Sequence, residues 1–137
     1  MIVVDTNTLV YFWAPSERKS TIDALFVADP NWMAPLLWRS EFRNALAAHL
    51  RSGIFSLDQI LLITKKAEEL MLGREMDVKS VDVMRLVSES KCTAYDCEFV
   101  ALALELDTLL VTQDKKVLRE FRSVAVTAED FLSARKK

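Results

Sequence analysis

Glycine is nearly missing from this chain, with two among 137 residues, and proline is scarce at three. Such a sequence leaves little room for flexible linkers or disordered tracts, and it carries neither an internal repeat nor a low-complexity stretch. Histidine occurs once, at His49, and cysteine twice, at Cys92 and Cys97. Their spacing offers no ligand pair for tetrahedral zinc, and one imidazole does not furnish both members of an acid–base pair. No segment reaches the roughly 20 apolar residues of a membrane span. The opening residues are apolar but include Asp5 and lack a basic leader, so they do not read as a secretory signal. These absences place the chain in the cytoplasm, off the membrane, with both thiols reduced. An excess of basic charge is also lacking, with 18 Lys and Arg against 20 Asp and Glu for a net charge of −2. Any binding of nucleic acid, which draws on Lys and Arg at phosphates, must then rest on local patches.

What the chain has is apolar material. At 51% hydrophobic content it can fill a three-layer core within one domain spanning residues 1–137. Short aliphatic runs predict strands near residues 2–5, 31–34, 75–78, 108–112 and 124–126, with helices between them. One helix is expected from about Leu57 behind a Ser56 cap, and another through Val87 capped by Ser80. Alternating strands and helices give the fold class: an α/β protein, a three-layer α/β/α sandwich around a central, mostly parallel five-stranded sheet.

Four carboxylates interrupt this apolar pattern. Asp5 follows Ile2-Val3-Val4, and Asp114 follows Leu109-Leu110-Val111-Thr112-Gln113. In a parallel sheet, residues just past such strands point into the ligand crevice, which puts both at one rim. At 100° per residue, Glu41 falls among the apolar residues of a helix over 37–51, between Ala48 and Ala45, with Leu37, Trp38, Phe42 and Leu46 on the same half. Asp96 lies away from the narrow polar stripe of Glu98 and Glu105 on a helix over 94–106. An ionised carboxylate in apolar surroundings normally protonates, pairs or binds a metal. No Lys or Arg shares the inward arc of either helix, which leaves a lysine from elsewhere or a divalent cation, Mg²⁺ or Mn²⁺ being the usual guest of an oxygen-only site. Plainer roles compete: Asp5 and Asp114 as helix N-caps, and Asp96 as the capping-box partner of Thr93. Glu41, read as mid-helix, has no such alternative.

The ordered set Val3-Val4-Asp5-Thr6-Asn7, Ser40-Glu41-Phe42-Arg43-Asn44-Ala45-Leu46, Tyr95-Asp96 and Val111-Thr112-Gln113-Asp114 resembles the motifs of PIN-domain ribonucleases. The short length and the closing Val126-Thr127-Ala128-Glu129-Asp130-Phe131-Leu132 are most similar to VapC toxins of toxin–antitoxin pairs. The resemblance implies that Asp5, Glu41, Asp96 and Asp114 are the catalytic, metal-holding acids, that Thr112 adds a hydroxyl beside them, and that Asn7 orients substrate or Asp5. It also implies an RNA substrate, an antitoxin protein and a homodimer as partners. Mg²⁺ or Mn²⁺ held there would polarise a phosphate, activate water and steady the leaving 3′-oxygen, giving 5′-phosphate and 3′-hydroxyl ends.

Basic candidates for the RNA are Arg39 and Arg43, Lys115 and Lys116, Arg119 and Arg122, and the tail Arg135-Lys136-Lys137, each weighed against an ordinary solvated face. Tyr11, Phe12, Trp13, Trp32 and Trp38 are weighed between core packing and a partner groove, with core favoured. Two rival readings remain. Val4-Asp5-Thr6-Asn7-Thr8 is close to the nucleophile motif of haloacid-dehalogenase-like phosphatases, although Asn7 stands where that chemistry wants an acid. A non-catalytic metal- or RNA-binding module is the other.

Overall fold

The computed structural model describes residues 1–136. Along the chain run β1 (Ile2–Val4), α1 (Thr6–Trp13), α2 (Lys19–Ala28), β2 (Trp32–Pro35), α3 (Trp38–Arg51), α4 (Leu57–Leu70), β3 (Glu75–Met76), α5 (Ser80–Ser88), α6 (Ala94–Glu105), β4 (Leu110–Val111), α7 (Lys115–Glu120), β5 (Ala125–Val126) and α8 (Ala128–Arg135). The five strands pair in the order β3-β2-β1-β4-β5. Every pairing is parallel, with Val3 opposite both Met33 and Leu110. The sheet is therefore wholly parallel rather than mostly so.

Ile2, Val3 and Val4 are all buried, as a central strand covered on both faces requires. One face carries α6, which packs on β1, β2 and β4 and is itself covered by α5. This explains why α6 is apolar nearly all round: Cys97, Phe99, Val100, Ala101, Leu102 and Ala103 are buried together. Helix α1 packs against α2, α3 and α4, while α2 meets α8. The chain leaves β1 toward β2 on one side and returns to β4 on the other. That reversal opens a crevice at the carboxyl ends of β1 and β4.

Strands three and four are shorter than the runs that predicted them. Thr108, expected in a strand, instead donates its hydroxyl to the Met1 carbonyl at 2.6 Å. Ser56 caps α4 in a capping box with Gln59, as expected. Ser80 does not cap α5: the half-in position belongs to Lys79, which offers no side-chain cap, and Ser80 is already inside the first turn. The only two glycines are spent where the backbone turns left-handed, at Gly53 (φ 80°) after α3 and Gly73 (φ 78°) after α4.

The large rings side with the core. Trp32 and Trp38 are wholly buried, and Phe12, Trp13, Phe26 and Trp32 form a set of mostly edge-to-face contacts. One expected core position fails: Ala48 is exposed. The apolar arc of α3 therefore ends at Ala45, which puts Glu41 on the border of that arc rather than within it.

Arg39 departs furthest from its solvated reading. Its guanidinium bonds both oxygens of Glu75 on the edge strand β3, and its third nitrogen reaches Glu68 on α4 at 2.7 Å. Glu75 also accepts the Trp38 indole N–H at 2.6 Å. One residue thus ties α3, α4 and a two-residue edge strand together. Hydrogen bonding to Arg39 holds the Glu75 carboxyl below its ordinary value of 4.5, so this contribution is full above that pH and fades as pH falls through the lowered native value. Arg39→Ala should lower the unfolding free energy by about 2 kcal/mol in urea titrations at pH 7, since it strands a mostly buried carboxylate. The gap to wild type should narrow on acidification toward pH 3; a gap that does not change with pH would show that the carboxylate is not its source.

Candidate functional site

The crevice is a cleft of about 520 Å³ lined by Asp5, Glu41, Asp96 and Asp114, with Asn7 and Thr112 also on its wall. Residues distant in sequence meet here because β1 and β4 are neighbours and the first turns of α3 and α6 reach the same rim.

Asp5 sits one residue past β1 and is the N-cap of α1. Its Oδ1 accepts the Thr8 N–H at 2.9 Å and the Thr8 hydroxyl at 2.7 Å, while Oδ2 accepts the Thr112 hydroxyl at 2.6 Å. Thr112 Oγ1 in turn accepts the backbone N–H of Asp114 at 3.1 Å. Asp114 caps α7, its Oδ1 accepting from the N–H groups of Lys116 and Val117. Asp96 closes the capping box with Thr93 at the start of α6. Glu41 accepts the Thr6 hydroxyl at 2.7 Å.

All three capping roles weighed from sequence are therefore real. They do not displace the clustering, because each cap uses only part of the carboxylate. Asp96 Oδ1, Asp114 Oδ2 and Glu41 Oε2 accept no hydrogen bond from the described residues. The account of Glu41 as mid-helix is corrected: α3 begins at Trp38, so Glu41 lies in its first turn, where the helix N-terminus favours negative charge. Asn7 is exposed on the cleft wall and bonds none of the four acids, so Thr8 and Thr112, not Asn7, orient Asp5.

Electrostatics set two of the acids apart. Burial pushes the Asp5 carboxyl above its ordinary value, against the hydrogen bonds of Thr112 and Thr8, and the charge of Asp114 adds to the rise. Burial likewise raises Glu41, opposed by the Thr6 hydroxyl and reinforced by Asp96 and Asp5. Glu98 is raised too, by burial and then by Glu41 and Asp77. The helical wheel assigned Glu98 to a solvated stripe, and nothing in the periodicity marks it. Thr6 and Thr8 were readable in principle, as hydroxyls in the first helical turn after an Asp cap.

No Lys, Arg or His lines the cleft, and none of the four carboxylates forms an ion pair. The possibility of a neutralising lysine is thereby removed among the described residues. Oxygen-only donors, several negative charges and no resident base suit a hard divalent cation in chemistry. Among the described residues no three Asp, Glu, His or Cys side chains are close enough together to hold a metal ion as they stand. An ion would take the free oxygens without competition and compete with Thr6, Thr8, Thr93, Thr112 and the α7 amides for the others.

Fold and cleft together define a small doubly wound α/β protein that gathers acids at its topological switch point. The chain belongs to the PIN domain family, whose description matches residues 2–126. PIN domains are generally nucleases, and those nucleases typically use divalent metal ions. Membership decides against the haloacid-dehalogenase-like reading. The structure resembles PAE2754 from Pyrobaculum aerophilum at TM-score 0.75 and 22% identity, covering 97% of this chain and 94% of that one. It resembles FitAcB from Neisseria gonorrhoeae at TM-score 0.75 and 16% identity, covering 94% and 99%. At these identities the likeness is one of fold. No curated protein matches the sequence.

Because the native Asp5 carboxyl lies above its ordinary value of 3.8, the folded state binds more protons than the unfolded one in the interval between the two values. Stability from this group then falls as pH rises through that interval, and the penalty is complete above it. Metal-free Asp5→Asn should accordingly melt a few degrees higher than metal-free wild type at pH 7.5, with the difference shrinking toward pH 4. Calorimetry in EDTA checks this, and an Asn variant that melts lower at neutral pH would contradict the burial argument.

Proposed function

We propose that this chain is an Mg²⁺- or Mn²⁺-dependent endoribonuclease, the toxin of a toxin–antitoxin pair. The observation that carries the reading is the convergence of Asp5, Glu41, Asp96 and Asp114 on one cleft with no basic side chain to neutralise them. A divalent ion there supplies Lewis-acid activation of the phosphate and of the attacking water.

The chain's own residues supply position. Thr112 and Thr8 fix the direction of the Asp5 carboxylate at the switch point, and a bound ion would share or displace one of these hydrogen bonds. Thr6 fixes Glu41 from α1, so two elements brace the same wall. Substrate phosphates meet little positive charge in the cleft itself. Arg43, Lys115, Lys116, Arg119 and Arg122 are exposed outside it and are left to hold the flanking RNA, whereas Arg39 is committed to Glu68 and Glu75. Arg135 donates to the Ala28 carbonyl at 3.1 Å, and Lys137 lies outside the described residues. Protein partners, an antitoxin and a second copy, are consistent with exposed aliphatic side chains on and just beyond α4, namely Leu57, Leu61, Leu62 and Leu72. Among the described residues no helix is long and apolar enough to cross a membrane.

The test is cleavage of a structured RNA pool by wild type, Asp5→Asn and Asp96→Asn, with Mg²⁺, Mn²⁺ or EDTA, and chemical identification of the new ends. Wild type should cut only with metal, leaving 5′-phosphates, and each variant should lose at least ~100-fold in rate. Equal activity in all three proteins would mean a contaminant, and inactivity of wild type with intact metal binding would favour a non-catalytic module.

A further inference from the structure

Tyr95 is the most exposed aromatic residue of this chain, at 61%, and it lies on the wall of the acidic cleft. Every other large ring packs in or against the core. Tyr95 is the second residue of α6, next to Asp96, and it makes no side-chain hydrogen bond or ring contact with the described residues. Folding therefore gains little from it. The neighbouring walls are uncharged as well as acidic: Ser40 and Asn44, one turn apart on α3, are exposed, and Leu37 and Ala45 add apolar surface beside them.

A cleft with acids at its floor, no cation on its walls, one free ring and two exposed amides at Asn7 and Asn44 is poorly equipped to grip a phosphate backbone. It is well equipped to grip a base. We propose that Tyr95 is a positioning residue whose ring stacks on a nucleobase beside the phosphate held at the carboxylates. A duplex keeps its base faces occupied by one another and offers the ring nothing, whereas an unpaired base presents a π-face of any sequence. The proposal rests on the nuclease reading above and names the side chain of the same cleft that would hold a base next to the phosphate.

The test compares a mixed-sequence single-stranded RNA 12-mer with the same 12-mer paired to its complement, for wild type, Tyr95→Phe, Tyr95→Leu and Tyr95→Ala, in Mn²⁺. Wild type should prefer the single strand. Tyr95→Ala and Tyr95→Leu should raise KM about ten-fold with kcat within about two-fold, and Tyr95→Phe should stay near wild type. A second reading independent of turnover is photo-crosslinking of 5-iodouracil-substituted single-stranded RNA, which should map to Tyr95. Melting curves with and without Mn²⁺ check that each variant folds and still responds to metal. Unchanged KM in Tyr95→Ala with the crosslink elsewhere overturns the stacking role while leaving the nuclease intact. Loss of activity in Tyr95→Phe equal to that in Tyr95→Ala overturns it too, since the hydroxyl would then be what matters. Wild type that cuts neither RNA removes the nuclease reading itself.

Discussion

Thr112 Oγ1 gives its proton to Asp5 and takes the N–H of Asp114, and through that one hydroxyl the ends of β1 and β4 are set against each other. The two acids repel, and both sit where the sheet's carboxyl edge runs out of backbone partners. A buried hydroxyl that donates to one and accepts from the backbone of the other satisfies both positions without adding charge. Around it the remaining parts fall into place: Asp5 starts α1, α1 presents Thr6 to Glu41, and Asp114 starts α7.

In this cleft a carboxylate that caps a helix also faces its acidic neighbours. A helix N-cap orients a carboxylate with one or two backbone amides, which is also what a metal ligand needs to keep a fixed direction. Capping and clustering are therefore compatible here. The cost appears in the raised acids: Asp5 and Glu41 are held where burial disfavours their charged forms. That destabilisation sits where chemistry would use it.

Much of this was legible in the chain. The aliphatic runs ending in Asp5 and near Asp114 marked buried parallel strands whose ends share one rim, because buried strands leave no polar alternation, while their adjacency came only with the structure. Ser56 and Thr93 marked helix starts through local hydrogen bonding alone. What the sequence hid depended on tertiary neighbours. Arg39 sits on the polar half of its wheel, yet Glu68 and Glu75 arrive from α4 and β3 to engage it. Ala48 reads as core by hydropathy, but nothing packs over it. Glu98 looks solvated, yet burial raises its carboxyl, and Glu41 and then Asp77 add to the rise. Periodicity reports the direction a side chain takes from its own axis, not what the rest of the chain places there.

The sheet order also has a consequence in time. Of the five strands the one at the centre is made first, and its partner on the acidic side lies more than a hundred residues downstream, as the 107-residue separation between Asp5 and Thr112 records. During synthesis β1 can find β2 early, but the crevice does not exist until β4 has left the ribosome and threaded in beside it. Three of the four acids would by then be waiting on a half-built edge. Non-local parallel pairing of this kind is slow to form, so Asp5, Glu41 and Asp96 are all synthesised well before the cleft that gathers them can close.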